Sequence, residues 1–156
     1  MFWRVEVRDR AQVFDAQGEG LKKDILDLGV GTVSEVRVSS IYSLEGGIFE
    51  ADIKKIAREL LVDNITQEFL VTALKNPLSV IKNPFSSTRI IEVAYNPGVM
   101  DPIEESVLKG IRDLGINSAK SVRTAKKYFI KGKLTEAQFK TVTYKLLCNK
   151  IIQHVV

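Results

Sequence analysis

The chain has 156 residues, of which 45% are hydrophobic and 27% charged, with one cysteine and one histidine. This is the composition of a globular protein. It excludes a transmembrane span, since no run of about 18 apolar residues occurs, and an internal disulfide, which needs two cysteines. The N-terminal residues are charged and alternating, unlike a secretory signal, so we expect a cytoplasmic protein without a membrane partner.

The net charge of +4 is unevenly distributed along the chain. Residues 1–75 carry 10 Lys/Arg and 13 Asp/Glu, whereas residues 76–156 carry 13 Lys/Arg and 6 Asp/Glu. A basic half can indicate a nucleic-acid partner. These lysines are spread over several predicted elements and are not interleaved with stacking aromatic residues, as they are in single-strand binders. We therefore interpret them as solvated surface and expect no nucleic-acid partner.

The first predicted unit, residues 1–73, has the element order β-α-β-α-β. Residues 3–8 alternate apolar and polar side chains, which predicts a half-buried strand. Asp15 is expected to cap the first helix, and Gly29 to end it in the left-handed conformation. An alternating second strand, a second helix with an apolar stripe and a short third strand near Phe69 complete the unit.

A turn-rich linker is predicted at residues 74–88, where two Asn-Pro pairs and a Ser-Ser-Thr run occur. Residues 89–156 then repeat the first unit at a constant offset of 86 residues. The offset aligns identical residues throughout: Glu6 with Glu92, Asp15 with Asp101, Gly29 with Gly115, Arg37 with Arg123, and Tyr42 with Tyr128. Because the offset holds through loops as well as helices, it indicates a duplicated structural unit.

The second unit has the clearer helix starts. Asp101 precedes Pro102 at the expected first helical position, and Glu104 completes a pattern like a capping box. Thr135 and Gln138 form the same kind of box before the last helix. We therefore interpret Asp15 and Asp101 as structural caps rather than as paired catalytic acids.

Parallel, right-handed crossovers would place both helices of a unit on one face of its sheet and leave the other face open. Mixed residues are expected on that open face: Ile41, Ser43, Lys127 and Phe129. A unit of about 70 residues buries too little surface to be stable alone. The prediction is an α+β fold in which two tandem β-α-β-α-β units pack as a pseudo-twofold intramolecular dimer.

Two repeated charge pairs are candidates for interactions on the helix-free face. Glu6 with Arg37, and Glu92 with Arg123, would form cross-strand ion pairs if they lie on adjacent strands. A modest surface pair is the favoured interpretation over a ligand site.

The residues that commonly carry chemistry do not form a recognisable motif. Cys148 and His154 lie on different predicted elements, an arrangement that disfavours a nucleophile–base pair. Zinc-ligand spacing, a dinucleotide fingerprint and a Walker loop are all missing from the sequence. We predict no catalytic, cofactor-binding or metal-binding residue. Gly18 and Gly20 are unusual in a helix, and indicate either a loosely wound first turn or close approach by a partner or by the other unit.

Residues 96–102, Asn-Pro-Gly-Val-Met-Asp-Pro, resemble the first turn of the PurS family. The first repeat keeps Val13 and Asp15, and then Gln17-Gly18 as the family often does. Residues 33–37, Val-Ser-Glu-Val-Arg, are also similar to the family's approach to its second strand. The resemblance covers nearly the whole chain twice. The first repeat departs from the pattern at residues 10–12, Arg-Ala-Gln, so any contacts that these loops make with partners would differ between the repeats.

PurS is the small subunit of phosphoribosylformylglycinamidine synthase, a ligase of purine biosynthesis that uses ATP and glutamine. The resemblance implies a non-catalytic assembly module that bridges the synthetase and glutaminase parts of this enzyme. It implies no cofactor in this chain, with ATP and Mg in the synthetase part. Long single-chain forms open with two such units. This chain ends on a predicted strand, which indicates either truncation of a longer polypeptide or a compact standalone fusion, and we favour truncation.

Two other functions remain open from the residues alone. Paired β-α-β units commonly bind small metabolites, so a regulatory module is the main alternative. A nucleic-acid binder is favoured only by the basic charge. Further self-association is also left open.

Overall fold

The computed structural model describes residues 1–75 and 88–156. Its elements are, in chain order, β1 (Phe2–Asp9), α1 (Ala16–Leu28), β2 (Thr32–Gly46), α2 (Glu50–Ile56), β3 (Gln67–Leu74), β4 (Thr88–Tyr95), α3 (Glu104–Asp113), β5 (Ala119–Lys133), α4 (Glu136–Val142) and β6 (Gln153–Val155). The predicted α+β fold with two tandem β-α-β-α-β units is confirmed. The predicted linker, 74–88, lies outside the described residues except at its ends.

Helices α2 and α4 each continue into a π-helical turn, Ala57–Leu61 and Thr143–Leu147. The Val62 N–H donates to the Ala57 carbonyl at 3.1 Å, and the Cys148 N–H to the Thr143 carbonyl at 2.8 Å. Each of these hydrogen bonds joins residues five apart in the chain, whereas those of an α-helix join residues four apart, so the π-helical turn is wider. The same irregularity thus occurs at equivalent positions of both repeats.

The strands form one six-stranded sheet in the order β3-β1-β2-β5-β4-β6. Strand β1 pairs antiparallel with both neighbours, so that Val5 lies opposite Tyr42 on β2 and Val71 on β3. The expected parallel crossovers are therefore wrong. Arg8 lies opposite Ser39, so the first part of β2 extends beyond the end of β1. The segment that contains α1 connects the end of β1 to the start of β2, which lies beyond that end. Strand β2 then runs antiparallel to β1.

The compact units of the structure differ from the repeats of the sequence. The first unit combines β1, β2 from Ser39 onward, α2 and β3 with α3 and the part of β5 that ends at Ala125. The second combines α1 and β2 up to Val38 with β4, β5 from Lys126 onward, α4 and β6. The sequence assigned each first helix to its own repeat, whereas in the structure each compact unit contains the first helix of the other repeat.

Each compact unit has its own apolar core with contributions from both repeats. The core of the first unit joins residues of β1, β2 and α2 to four residues of the second repeat, Val107, Ile111, Ile116 and Val122. The core of the second unit joins Ile25, Val33, Val36 and Val38 to residues of β4, β5 and α4. Burying apolar surface is the main driving force of folding, so both cores depend on both repeats.

The sheet face that lies away from the helices was expected to be open, but two of the four residues predicted on it are buried. Ile41 is 0% exposed and Lys127 only 8% exposed, although Ser43 and Phe129 are half-buried. The Lys127 ammonium lies 5.0 Å from the centroid of the Phe129 ring. Among the described residues, every buried side-chain nitrogen or oxygen has a hydrogen-bond partner. The sequence therefore did not reveal the burial of Ile41 and Lys127.

Candidate interaction surfaces

Asp15 connects the start of α1 to strand β2 within the second compact unit. Its Oδ1 accepts a hydrogen bond from the Gly18 N–H at 2.8 Å, and its Oδ2 accepts one from the Val38 N–H at 3.0 Å. The residue is the N-cap of α1 and is 6% exposed. The carboxylate satisfies a free backbone donor of the helix and a second donor of the strand.

Asp101 makes the equivalent connection in the first compact unit. Its Oδ1 accepts from the Ile103 N–H at 3.0 Å, and its Oδ2 accepts from the Thr124 N–H at 2.6 Å and the Thr124 hydroxyl at 2.8 Å. Helix α3 begins at Glu104, later than the expected start at Pro102, because residues 101–103 form a turn. Asp101 therefore ties that turn to strand β5, and the predicted cap of α3 by Asp101 is wrong, because Ile103 occupies the N-cap position without a side-chain cap hydrogen bond.

These contacts indicate that the two aspartates have structural roles. Both side chains are buried, and both oxygens of each carboxylate accept hydrogen bonds from the protein itself. Their charges also affect neighbours. Burial raises the pKa of Tyr42, and the Asp101 carboxylate raises it further. Burial lowers the pKa of Lys126, and the Asp15 carboxylate partly opposes that change.

Gly18 is a glycine because the backbone of β2 lies directly against it. A Cβ atom there would be 2.2 Å from the Val36 carbonyl oxygen and 2.9 Å from Asp15 Oδ2. At Gly20, by contrast, a Cβ would meet nothing within 4 Å. The close approach is made by a strand of the same compact unit, so neither a loose turn nor a partner explains Gly18. Nothing in the structure explains Gly20.

The predicted charge pairs have mixed environments. Glu6 and Glu92 are 8% and 7% exposed, whereas Arg37 is half-buried and Arg123 is exposed. In the sheet register Glu6 lies opposite Ile41, with Arg37 further along β2. The pairs Glu6–Arg37 and Glu92–Arg123 stay predictions.

Cys148 and His154 also have different surroundings. Cys148 belongs to the core of the second unit, where burial raises the pKa of its thiol and so disfavours the nucleophilic thiolate. His154 is exposed, and its Nδ1 lies 3.2 Å from Asn96 Oδ1. Within residues 1–75 and 88–156, no group of three His, Cys, Asp or Glu side chains is placed to hold a metal ion.

A loop that sequence reasoning did not single out follows the π-helical turn of the first repeat. In residues 63–67 the Asp63 Oδ1 accepts from the Ile65 N–H at 2.9 Å, and the Gln67 Oε1 accepts from the Asp63 N–H at 3.0 Å. The Arg10 N–H donates to the Thr66 carbonyl at 2.9 Å. We call this segment the Ile65 loop. Its hydrogen bonds fix the backbone while Ile65 is 85% exposed.

The second repeat contains the same loop at residues 149–153, the Ile151 loop. Here the Asn149 Oδ1 accepts from the Ile151 N–H at 3.1 Å, and the Gln153 Oε1 accepts from the Asn149 N–H at 3.0 Å. The Asn96 N–H donates to the Ile152 carbonyl at 2.8 Å. Ile151 is again 85% exposed.

Together the two loops show a pattern that the sequence does contain. Asp or Asn, then isoleucine two residues later and glutamine two residues after that, occurs at the same offset in both repeats. An Asx side chain that accepts from the backbone two residues on is a known turn former. The sequence did not predict these exposed loops, because an isoleucine near a helix end is usually a core residue, whereas Ile65 and Ile151 are exposed to solvent.

The fold and these surfaces define a class of protein: a tandem α+β module in which buried acids hold helices to strands and each repeat presents an exposed isoleucine. The family model PurS, described as phosphoribosylformylglycinamidine (FGAM) synthase, matches residues 3–75 and again residues 88–156. The chain belongs to the PurS family. It is therefore associated with FGAM synthase and purine biosynthesis.

Comparison with solved structures gives a weaker likeness. The structure of B. subtilis PurS in a C2 crystal form is similar at 18% sequence identity and a TM-score of 0.43, and the match covers 46% of this chain and 96% of that one. No curated protein matches the chain. No helix among the described residues is long and apolar enough to cross a bilayer.

Proposed function

We propose that this chain is a non-catalytic assembly module of FGAM synthase that bridges the synthetase and glutaminase parts of the enzyme. The double family match, one for each repeat, is the observation that supports the proposal most directly. Under this proposal ATP and Mg bind in the synthetase part, the chain itself holds no cofactor, and the complex works in the cytoplasm.

The local chemistry agrees with such a role. Asp15 and Asp101 use both carboxylate oxygens for hydrogen bonds within the protein, so they are poorly placed to transfer protons to a substrate. Cys148 is buried with a raised thiol pKa. In contrast, Ile151 is a large apolar side chain held in water by a well-ordered loop, and Tyr144 and Ile152 are exposed close to it in the chain. Such side chains are typical of surfaces that become buried in a complex.

Reconstitution tests the proposal. The chain, the synthetase part and the glutaminase part are purified separately, and glutamine-dependent formation of the amidine is measured with all three components and with each one omitted. We expect the chain alone to be inactive, and glutamine-dependent turnover to fall at least about tenfold when it is omitted, because ammonia transfer requires the two enzymes to be held together.

A parallel assay supplies ammonium instead of glutamine. We expect the synthetase part to use it with a smaller dependence on the chain, since no transfer between proteins is then required. Turnover by the purified chain alone, or unchanged glutamine-dependent activity without it, would contradict the proposal. A saturable thermal shift of the chain with an amino acid or nucleotide would instead favour a metabolite-binding module.

A further inference from the structure

The Ile151 loop lies within a larger exposed surface of the second compact unit. Ile151 is 85% exposed, Tyr144 43% and Ile152 37%. Lys145 and Lys150 are exposed beside them. We call these five residues the Ile151 patch. Its apolar side chains are presented by one π-helical turn and the loop that directly follows it.

The patch borders an open groove. The groove is lined by residues 144–151 and by Gln153, and Leu147 and Cys148 in this lining are themselves buried. At its rim the Lys150 ammonium lies 4.1 Å from the centroid of the Tyr144 ring. This distance is that of a cation–π contact, which orients both side chains. The surface therefore combines the projecting Ile151 side chain, the adjacent groove and the oriented ammonium group of Lys150.

The charge of this region differs from that of the equivalent region in the first repeat. After Glu136 the chain has Lys140, Lys145 and Lys150 and no Asp or Glu. Around the Ile65 loop both signs occur, at the following positions: Asp52, Lys54, Lys55, Arg58, Glu59, Asp63 and Glu68. The two isoleucines are equally exposed, but only the stretch of sequence that contains Ile151 and follows Glu136 carries charges of a single sign.

The Ile151 loop is also preorganised for binding. Hydrogen bonds join Asn149 to Ile151, Gln153 to Asn149, and Asn96 to Ile152. A side chain whose backbone is already fixed loses less conformational entropy when it becomes buried. Small interfaces depend on a few such anchors, while surrounding charges determine the partner's electrostatic character.

We propose that the Ile151 patch docks an acidic protein surface that belongs to the synthetase or glutaminase part, with Ile151 inserted into an apolar pocket and Lys145 and Lys150 opposite carboxylates. The proposal rests on the assembly role described above and assigns it to one surface. A protein surface fits better than a small free anion, because an anion would leave Ile151 and Tyr144 in water. The exposed lysines of the patch, Lys145 and Lys150, favour an acidic occupant by charge complementarity.

The test compares four versions of the 156-residue chain: wild type, Ile151→Asp, the double variant Lys145→Glu/Lys150→Glu, and Ile65→Asp as the matched control. The affinity of each for the separately purified synthetase and glutaminase parts is measured at low and at moderate salt. Circular dichroism and urea unfolding verify that each variant is folded. Because both isoleucines are equally exposed, the two Ile→Asp changes have comparable effects on folding.

We expect Ile151→Asp and the lysine double variant each to weaken binding to one of the parts by about tenfold or more. Ile65→Asp should change it by less than about threefold. Raising the salt concentration should weaken the wild-type complex and affect the lysine variant less, since charge attraction is screened by salt.

If the wild type binds and all variants bind equally well, the patch is not the docking surface, although the assembly role stands. If the wild type binds neither part, both the docking surface and the assembly role are contradicted. If the variants instead lose self-association in light scattering, the patch joins copies of this chain, and the proposed acidic partner is wrong.

Discussion

The starts of α1 and α3 show how two copies of one element solve the same problem differently. In each repeat an aspartate is hydrogen-bonded to the middle of a long strand, Asp15 to Val38 from the start of α1 and Asp101 to Thr124 from the turn before α3. Helix α1 begins directly after its aspartate, so its third residue must pass against the strand, and only glycine fits there. Helix α3 begins at Glu104, which is the position equivalent to Gly18. The tie is thus common to both repeats, whereas the glycine depends on where the helix begins.

The largest expected effect comes from separating the two repeats. Residues 1–75 expressed alone should be unfolded or self-associated, because the core of the first compact unit needs Val107, Ile111, Ile116 and Val122 from the second repeat. Circular dichroism and sedimentation would measure this. Mixing the two halves should restore a folded complex. A stable, folded monomer of residues 1–75 would show that the first helix of the other repeat is dispensable.

Gly18→Ala should have the next largest effect. Its Cβ would lie 2.2 Å from a backbone oxygen, so the helix or β2 must move, at a cost of about 3 kcal/mol in the free energy of unfolding. Gly20→Ala is the control in the same helix. It should stabilise the protein by up to about 1 kcal/mol, since alanine favours helix and has free space there. Urea unfolding measures both, and equal effects would refute the close-approach explanation.

Asp101→Ala should reduce the free energy of unfolding by about 2 kcal/mol, because it leaves buried backbone donors without an acceptor. Asp15→Ala should cost somewhat less, since Asp15 accepts two hydrogen bonds from the protein and Asp101 three. Thr124→Val removes only the hydroxyl donor and should account for the difference. A larger loss in the free energy of unfolding for Asp15→Ala than for Asp101→Ala would contradict this comparison.

The smallest effect is expected at the starts of α2 and α4. Thr135 forms a capping box with Gln138, whereas its equivalent, Phe49, makes no side-chain cap and is 78% exposed. Thr135→Ala should lower stability by about 1 kcal/mol. Phe49→Thr should raise it by roughly 0.5 kcal/mol. Thermal unfolding can resolve both shifts, and a loss of stability in Phe49→Thr would show that the phenyl ring contributes more than its exposure implies.

Local features of the fold were predictable from the residues because they depend on neighbours in the chain. The capping box of Thr135 and the left-handed glycine after α1 follow from side chains within a few residues of each other. The alternation of apolar residues located the strands for the same reason. The parallel crossover was wrong, since the direction of pairing depends on where β2 begins relative to the end of β1.

The exchange of first helices between repeats could not be read from the sequence. Helices α1 and α3 have the same apolar face whichever set of strands they cover, because the repeats are near copies. The role of Gly18 and the burial of Ile41 were likewise decided by segments distant in the chain. The exposed isoleucines are intermediate: their loop pattern is visible in the sequence, but their exposure is not.

The sequence by itself determined the duplication, the order of elements, the family and the aspartate that caps α1, because each is encoded in spacing that is retained along the chain. Only the tertiary structure decided which helix completes which core, how closely β2 approaches Gly18 and which apolar side chains remain in water. Those outcomes depend on packing between distant segments. Because the repeats are near copies, the apolar face of each first helix fits the strands of either repeat about equally well.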